Sequence, residues 1–156
     1  MRIGTGYDVH KFAADRKLIL CGVEVPCEKG LLGHSDADVA AHAVMDAVLG
    51  ALALGDIGKL FPDSDPAYEG ADSMQLLGHV VGIMREHSYT LGNLDITIIA
   101  EKPKLSGYIT AMRENLARVF LSEISRVSVK ATTEEGLGLA GKGIGVQAVV
   151  LLEKEG

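Results

Sequence analysis

The chain has 156 residues, of which 47% are hydrophobic, and a formal net charge of −6. These values predict one folded domain spanning 1–156, and the lack of a clustered run of Lys and Arg argues against nucleic acid as a partner. No apolar run approaches the roughly 18 residues of a membrane helix, and the opening MRIGTGYDVH has no secretory-signal pattern. We therefore expect a cytoplasmic protein with no membrane partner.

Strands and helices alternate along the chain, and the spacing of apolar residues predicts each of them. The predicted strands are RIGTGYDV at 2–9, two short strands within 17–26, and the segments 90–102, 126–133 and 145–154. The predicted helices are 38–54, 73–87 and 107–121, the first of them capped by Ser35 or Asp36. We interpret this order as an α/β fold, a single-domain sandwich in which the helices pack on one face of a mixed four-stranded sheet.

The segment GYDVH places two polar side chains on one side of the first predicted strand. Because strand side chains alternate in direction, Asp8 and His10 project together. The first predicted helix adds His42, in one line with Asp38 and Asp46 on an otherwise apolar surface. One carboxylate and two imidazoles are ligands that zinc accepts, with a fourth position left open, and Asp38 or Asp46 would orient His42. The alternative for His42 is a hydrogen-bonded residue of the core.

Two other polar segments have both a functional and an ordinary interpretation. The stretch 55–72 is rich in Gly, Pro and Asp, as binding loops are, although its aspartates also suit solvated turns. The segment KATTEE ends a predicted strand, and its Glu135 suits either a hard divalent cation that bridges phosphates or an exposed turn.

Three apparent motifs carry no function. GLGLAG at 136–141 matches the dinucleotide-binding pattern, but a strand follows it instead of the helix that this motif needs. The overlapping GLGLAGKG has Gly143 where a phosphate-binding loop needs Ser or Thr. Cys21 and Cys27 match no zinc-finger spacing, and we expect reduced thiols rather than a disulfide.

Four blocks of the sequence resemble one enzyme family, and the resemblance extends over nearly the whole chain. The blocks are RIGTGYDVHKF, GLLGHSDADVAAHAVMDAVLGALALGDIGKLFPDSDP, TLGNLDITIIAEKPKL and VKATTEEGLG. From them the chain resembles the 2-C-methyl-D-erythritol 2,4-cyclodiphosphate synthases of the non-mevalonate isoprenoid pathway. The resemblance implies a lyase that converts 4-diphosphocytidyl-2-C-methyl-D-erythritol 2-phosphate into the 2,4-cyclodiphosphate with release of CMP.

The resemblance also implies cofactors, partners and residue roles. These are a homotrimer with active sites between adjacent subunits, one Zn²⁺ per subunit, and a second divalent cation, Mg²⁺ or Mn²⁺. The implied metal ligands are Asp8, His10 and His42 for zinc and Glu135 for the second cation. His34 and Thr133 would donate to the transferring phosphoryl group. Contacts with the small-molecule cytidine diphosphate substrate are implied for Asp8, Val9, His10, His34, Ser35, Asp56, Ile57, Gly58, Phe61, Pro62, Asp63, Ser64, Asp65, Ala100, Glu101, Lys102, Pro103, Lys104, Leu105, Ser106, Thr132, Thr133, Glu134, Glu135, Leu139 and Lys142.

By the same resemblance, these contacts fall into three groups. The segments 56–58 and 61–65 would line the methylerythritol pocket. The segment 100–106 would form the cytidine pocket of the neighbouring subunit, with Lys104 near the diphosphate. His34, Ser35, Thr132 and Thr133 would contact the phosphates.

Four positions depart from the family's pattern. Ala37 stands where the family commonly has glycine, a change that we expect to be harmless, and Glu134 stands where we expect threonine. Leu139 and Lys142 replace an expected aromatic residue and arginine near the central cavity of the trimer, which puts any ligand of that cavity in doubt.

Two other functions are compatible with the same three metal ligands. One is a zinc phosphodiesterase or phosphatase that activates water. The other is a non-catalytic module in which zinc only joins a strand to a helix, although such structural sites usually have four protein ligands.

Overall fold

The computed structural model describes residues 1–156 and confirms the predicted alternation of strands and helices. The strands are β1 (Arg2–Ala13), β2 (Leu18–Leu20), β3 (Val23–Val25), β4 (Gly30–Leu31), β5 (Tyr89–Ile99), β6 (Val127–Thr132) and β7 (Gly143–Lys154). The helices are α1 (Val39–Ala51), α2 (Ile57–Leu60), α3 (Ser73–Glu86) and α4 (Ile109–Phe120). Short 3₁₀ turns lie at Pro66–Tyr68 and Ile124–Arg126.

The strands form a mixed sheet in the order β4-β1-β7-β5-β6, beside a separate β2–β3 hairpin. Every neighbouring pair in the large sheet is antiparallel except β5 and β6. A parallel pair needs a crossover connection, and here α4 supplies it. The core lies between the buried face of the sheet and the helices α1, α3 and α4. The predicted single-domain α/β sandwich with a mixed sheet is therefore confirmed.

The sheet has one strand more than the four predicted. Strand β4 pairs Gly30 and Leu31 with Ala13 and Phe12 at one edge of the sheet, in a segment that contains no predicted strand. Two residues are too few to show the alternation that identifies a strand. Strand β1 also continues past the predicted end at Val9 and provides the partner for this short edge strand.

The start of α1 differs from the prediction. Asp38 caps the helix by accepting a hydrogen bond from the Ala41 amide at 3.0 Å, so the cap is neither Ser35 nor Asp36. Just before it, Ala37 has a φ of 58°, a conformation that favours glycine. An alanine in this region costs about 1 kcal/mol. The methyl group of Ala37 is therefore not neutral at this position, although it is buried within the core.

Strand β1 and helix α1 pack with their backbones unusually close together. A side chain at Gly4 or Gly6 would collide with the carbonyl oxygen of Ala47 or Ala43, respectively. The facing surface of the helix is built from alanines, which have the smallest side chains after glycine. Glycine on the strand and alanine on the helix together bring the next residues of β1 within reach of the middle of α1.

The opposite face of β1 is open. Ile3, Tyr7 and Val9 alternate with the buried positions of the strand and are 69%, 58% and 41% exposed. All of the helices lie on the other side of the sheet, so this apolar strip has no cover within the chain. None of the helices is long and apolar enough to cross a membrane.

The rejected motifs are confirmed as structural elements. The segment 136–141 forms turns between β6 and β7, and no helix follows it that could receive a dinucleotide phosphate. Both cysteines are free thiols, with Cys21 buried and Cys27 exposed.

Candidate metal-dependent active site

Three predicted ligands converge where β1 crosses α1. Asp8 and His10 lie on the helical side of β1, as the alternation of strand side chains predicts, and His42 faces them from α1. Oδ2 of Asp8 lies 3.0 Å from Nε2 of His10 and 3.2 Å from Nδ1 of His42. The two imidazole rings meet edge to face with centroids 5.1 Å apart. The glycine–alanine contact between β1 and α1 makes this approach possible.

The three side chains fit a divalent metal ion. One carboxylate oxygen and two imidazole nitrogens lie within 4.8 Å of one another, and no fourth His, Cys, Asp or Glu joins them. In a tetrahedral site with bonds of about 2.1 Å, ligand atoms lie about 3.4 Å apart. The observed separations are close to that value, so small side-chain rotations would suffice. Three protein ligands with an open position are typical of catalytic rather than structural sites.

The electrostatics of the cluster keep Asp8 in its metal-binding form. Burial alone would raise the pKa of Asp8, but hydrogen bonds and charges of His10 and His42 outweigh burial and hold this pKa well below its usual range. Burial disfavours the protonated form of His42 and so lowers its pKa. The hydrogen bond and charge of Asp8 outweigh burial and raise the pKa of His42 above its ordinary value. Asp8 is thus a carboxylate at neutral pH, as ligation requires.

The residues predicted to orient His42 have other partners. Both carboxylate oxygens of Asp38 are bound by backbone amides, Oδ1 by Cys21 and Ala41 and Oδ2 by Gly22. Asp46 accepts a hydrogen bond from the Ile57 amide at 2.8 Å. Neither carboxylate is hydrogen-bonded to His42, so this prediction is wrong. Its cause is that helical spacing places side chains in one line without determining what each one meets across the core.

Two serines take that position instead. Nε2 of His42 lies 3.1 Å from Oγ of Ser35 and 3.0 Å from Oγ of Ser73. Ser73 is the first residue of α3 and is fully buried. Sequence reasoning missed Ser73 because 31 residues separate it from His42 and nothing local distinguishes it from any other serine at a helix start.

A small cavity of about 40 Å³ adjoins the three-ligand cluster. Its walls include five predicted site residues, His34, Ser35, Ile57, Phe61 and Asp63, together with His42. Sequence reasoning did not select its remaining lining residues, Met45, Tyr68 and Leu76. Of these, Tyr68 contacts Phe61 edge to face at 5.2 Å.

The segment predicted to form a cytidine pocket lies elsewhere on the chain. Residues 101–104 line a cavity of about 700 Å³ together with Phe12, residues 26–29 and Gly141. The side chains of Ala100 and Leu105 are buried in the core and do not line this cavity. Val146 of β7 pairs with Asp8 on one side and with Ile98 on the other. The segment after β5 therefore begins about two strand spacings, or about 10 Å, from the three-ligand cluster.

The predicted phosphate and second-cation residues are also distant from the cluster within one chain. Thr132 ends β6, which lies three strand spacings, or about 14 Å, from β1. Thr133 and Glu135 follow in an exposed turn, where the Glu135 amide donates to Oγ1 of Thr133 at 3.3 Å. Ala100 and Thr132 are joined by a backbone hydrogen bond, so the 100–106 and 132–135 segments form one neighbourhood.

Glu134, the acidic residue where threonine is expected, has a partner within its own turn. Its carboxylate accepts a hydrogen bond from the amide of Leu139 and closes the turn before β7. The side chain of Leu139 in turn lies against Gly145. Lys142 is exposed, and its backbone carbonyl accepts a hydrogen bond from the Phe12 amide at 3.0 Å.

Known proteins resemble this chain over nearly its whole length. The model of the YgbB family matches residues 1–153. Proteins named 2-C-methyl-D-erythritol 2,4-cyclodiphosphate synthase from Trichlorobacter lovleyi and Clostridioides difficile are 65% and 59% identical to the chain. Each alignment covers 97% of this chain, and 98% and 96% of the two relatives, respectively.

Solved structures extend the agreement to the fold. A 2-C-methyl-D-erythritol 2,4-cyclodiphosphate synthase solved in a form bound to CDP matches with a TM-score of 0.91 and 37% identity, over 97% of this chain and 100% of that one. The match of the family model to nearly all residues, the identity of the relatives and the shared fold lead to one conclusion. The chain belongs to the YgbB family of 2-C-methyl-D-erythritol 2,4-cyclodiphosphate synthases.

Proposed function

We propose that this chain is a lyase that converts 4-diphosphocytidyl-2-C-methyl-D-erythritol 2-phosphate into 2-C-methyl-D-erythritol 2,4-cyclodiphosphate with release of CMP. The observation that carries the proposal is the convergence of Asp8, His10 and His42, with an open position, in a chain of this family. These are the three side chains that the resemblance of the sequence implies as zinc ligands.

The reaction is an intramolecular phosphoryl transfer. An oxygen of the 2-phosphate forms a bond to the β-phosphorus of the diphosphate, and the bond from that phosphorus to the bridging oxygen breaks, leaving CMP with the electron pair. No water is consumed. Such transfers need positioning and charge neutralisation more than covalent help from the protein. A phosphate nucleophile is already ionised near neutral pH, so no general base is required.

We assign Zn²⁺ to the three-ligand cluster because two imidazoles and one carboxylate suit this ion. When bound, zinc would supply positive charge that polarises the phosphate under attack and offsets the charge that develops on the leaving group. Glu135, with oxygen ligands only, would hold a second cation, Mg²⁺ or Mn²⁺, near the diphosphate.

His34 and Thr133 are assigned as donors to the transferring phosphoryl group, and Ser35 and Thr132 as phosphate contacts. The position of His34 and Ser35 in the wall of the small cavity beside His42 supports their part of this assignment. Nε2 of His34 lies 3.4 Å from the Asp65 carbonyl oxygen, which is long for a hydrogen bond, so substrate would readily replace this contact.

The segments 56–58 and 61–65 are assigned to the methylerythritol pocket. Ile57, Phe61 and Asp63 already line the small cavity, which supports the assignment. The hydrogen bond from the Ile57 amide to Asp46 ties the first of these segments to α1, the helix that carries His42. Asp46 would therefore keep this loop at a fixed position relative to the metal ligands.

Replacing Asp46 with alanine is expected to raise KM about fivefold with little change in kcat or zinc content. The reason is that one hydrogen bond, worth about 1 kcal/mol, is lost from the loop that would contact the methylerythritol. Asp46→Asn retains an oxygen acceptor and should behave like the unaltered enzyme. Steady-state kinetics on both variants, with zinc analysis, make the comparison. An unchanged KM in Asp46→Ala would remove this role.

A homotrimer with active sites between subunits would account for the large distances, within one chain, between the metal ligands and the other predicted site segments. Segments 100–106 and 132–135 are about 10 to 14 Å from the chain's own metal ligands across the sheet, so a second subunit would have to bring its copies to them. The exposed apolar strip of Ile3, Tyr7 and Val9 supports burial of this sheet face between subunits. The sheet itself would then form the interior of the trimer.

We further propose a cytoplasmic location, as expected from the sequence. The two free thiols support it, because a reducing compartment keeps an exposed cysteine such as Cys27 in that state.

Incubation of the purified protein with the cytidine substrate is expected to release CMP and form the cyclic diphosphate. In H₂¹⁸O neither product should acquire label, because the nucleophile is the 2-phosphate rather than water. A chelator should lower the rate at least about 1,000-fold, and added zinc should restore it. Phosphorus NMR and mass spectrometry follow both products. A linear phosphate labelled from water would instead identify a hydrolase and contradict the proposal.

A further inference from the structure

A chain of hydrogen bonds leads away from the metal-facing side of His42. Nδ1 of this residue faces Oδ2 of Asp8, while Nε2, on the other side of the ring, lies 3.0 Å from Oγ of Ser73. The hydroxyl of Ser73 is in turn hydrogen-bonded to Oδ1 of Asp36. His42, Ser73 and Asp36 thus form a continuous path from the proposed metal site into the protein, which we call the imidazole–serine–aspartate chain.

Asp36 holds Ser73 at two points. Its Oδ1 accepts from the Ser73 hydroxyl, and its Oδ2 accepts from the Ser73 backbone amide at 3.1 Å. The backbone amide of Asp36 donates to the carbonyl of Ala71, so the loop before α1 and the start of α3 are joined directly. Ser73 is fully buried, which excludes water as a competing partner. The rotamer of Ser73 is therefore set by Asp36.

The direction of each hydrogen bond follows from the donors and acceptors present. A carboxylate only accepts, so the Ser73 hydroxyl must donate to Asp36 and retains only lone pairs for His42. Nε2 of His42 must then carry the proton and donate it to Ser73. Nδ1 of His42, on the other side of the ring, faces the Asp8 carboxylate at 3.2 Å and donates to it. A metal ion bound by Asp8 and His42 would take the place of that Nδ1 proton, so the imidazole would keep its proton on Nε2 and direct its Nδ1 lone pair at the metal.

Neither Ser35 nor the surroundings of His10 provide an equivalent arrangement. Ser35 also lies near Nε2 of His42, at 3.1 Å, but its oxygen accepts from the Ala37 amide, and its further side-chain contact is with Ser73 at 3.3 Å, so it reaches no carboxylate directly. His10 has no such support, since its Nδ1 is buried without any hydrogen-bond partner. Of the two histidines, only His42 has a hydroxyl and a carboxylate that orient its ring from the side facing away from the metal site.

We propose that Ser73 and Asp36 are positioning residues for the metal site, which hold the imidazole of His42 with its proton on Nε2 and its Nδ1 lone pair directed at the metal. The inference rests on the metal binding in the proposed function but not on the reaction. Partners of this kind commonly change metal affinity about 10- to 100-fold. Because Ser35 remains near Nε2, the lower end of that range applies to removal of Ser73 alone.

The test is zinc affinity, measured by competition with a chromophoric chelator in the absence of substrate. Ser73→Ala is expected to bind zinc about tenfold more weakly than the unaltered protein. Asp36→Asn, which preserves shape but removes the charge, should weaken binding severalfold and serves as a second variant if Ser73→Ala does not fold. Nitrogen-15 NMR of the zinc-loaded protein should show a slowly exchanging Nε2 proton on His42 that becomes fast-exchanging in Ser73→Ala, with the His10 ring signals unchanged.

The matched control is Asp72→Ala. Asp72 caps α3 through the Met74 amide, one residue from Ser73, and does not touch His42. This variant should lower the urea midpoint of unfolding but leave zinc affinity within about twofold. Equal losses of zinc affinity in Asp72→Ala and Ser73→Ala would mean that Ser73 acts only through the stability of α3, and would overturn the inference.

The outcomes also separate this inference from the proposed reaction. Zinc affinity within twofold of the unaltered protein in Ser73→Ala and Asp36→Asn overturns the inference and leaves the reaction standing. If the two variants bind zinc more weakly and the unaltered protein does not release CMP, the inference is supported and the reaction is contradicted. Failure of the unaltered protein to bind zinc overturns both.

Discussion

Replacement of His42 with alanine is expected to abolish zinc binding and CMP formation together while the protein remains folded. His42 supplies one of three ligands, and two protein ligands with an open coordination sphere bind weakly, so affinity should fall more than about 100-fold. The charge stabilisation that the metal provides is worth several kcal/mol, so kcat should fall at least about 1,000-fold. Alanine has the highest helix propensity, so α1 should persist.

The measurements for His42→Ala are zinc content after dialysis, urea unfolding and CMP release. His87→Ala is the matched control, since His87 is an exposed histidine at the end of α3 whose side chain is hydrogen-bonded to the Ile83 carbonyl and not to the metal ligands. It should match the unaltered protein in zinc content and CMP release. A His42→Ala protein that lacks zinc and still turns over at the normal rate would exclude the metal from the reaction.

Gly6→Ala is expected to destabilise the protein by at least about 3 kcal/mol, a large part of the 5–15 kcal/mol typical of a domain. The new methyl group would meet the Ala43 carbonyl oxygen and lie close to the Ala47 amide. These are backbone atoms of α1, which cannot turn aside as a side chain can. Relief requires α1 to move away from β1, which would also separate His42 from Asp8 and His10.

Urea unfolding and zinc affinity of Gly6→Ala are to be compared with those of Gly78→Ala. Gly78 lies inside α3 with open space around it, so an added methyl group meets no neighbouring atom. There the change should stabilise by about 0.5–1 kcal/mol through helix propensity and leave zinc affinity unchanged. If Gly6→Ala were as stable as the unaltered protein, the close backbone packing of β1 on α1 would not be what positions the metal ligands.

Much of the fold was accessible to sequence reasoning because it depends on local periodicity. The long strands and the helices α1, α3 and α4 were predicted from apolar spacing, and their order led to the α/β sandwich. Strand β4 was missed because two residues carry no period, and the cap of α1 was misplaced because three acidic or hydroxyl residues within four positions compete for that role. The exact ends of helices and strands depend on which neighbouring groups are present, and not on the local sequence pattern.

The candidate site divides in the same way. The shared direction of Asp8 and His10 follows from the geometry of any extended strand, so it was predictable from five residues of sequence. The partners of Asp38 and Asp46 were predicted incorrectly, because both lie in line with His42 on α1 but bond to backbone amides of other segments. Ser73 was not predicted at all, since no local feature marks it.

The sequence by itself determined which side chains are available as metal ligands, on which element each lies, and the family to which the chain belongs. Only the tertiary structure decided that His42 meets Asp8 across 34 residues of chain, and that Ser73 and Asp36 support its far side. The physical reason is the distance along the chain over which each effect acts. Strand alternation and helical spacing act over a few residues, whereas contacts across the core depend on how closely β1 and α1 can approach, which here is set by glycines and alanines with almost no side chain.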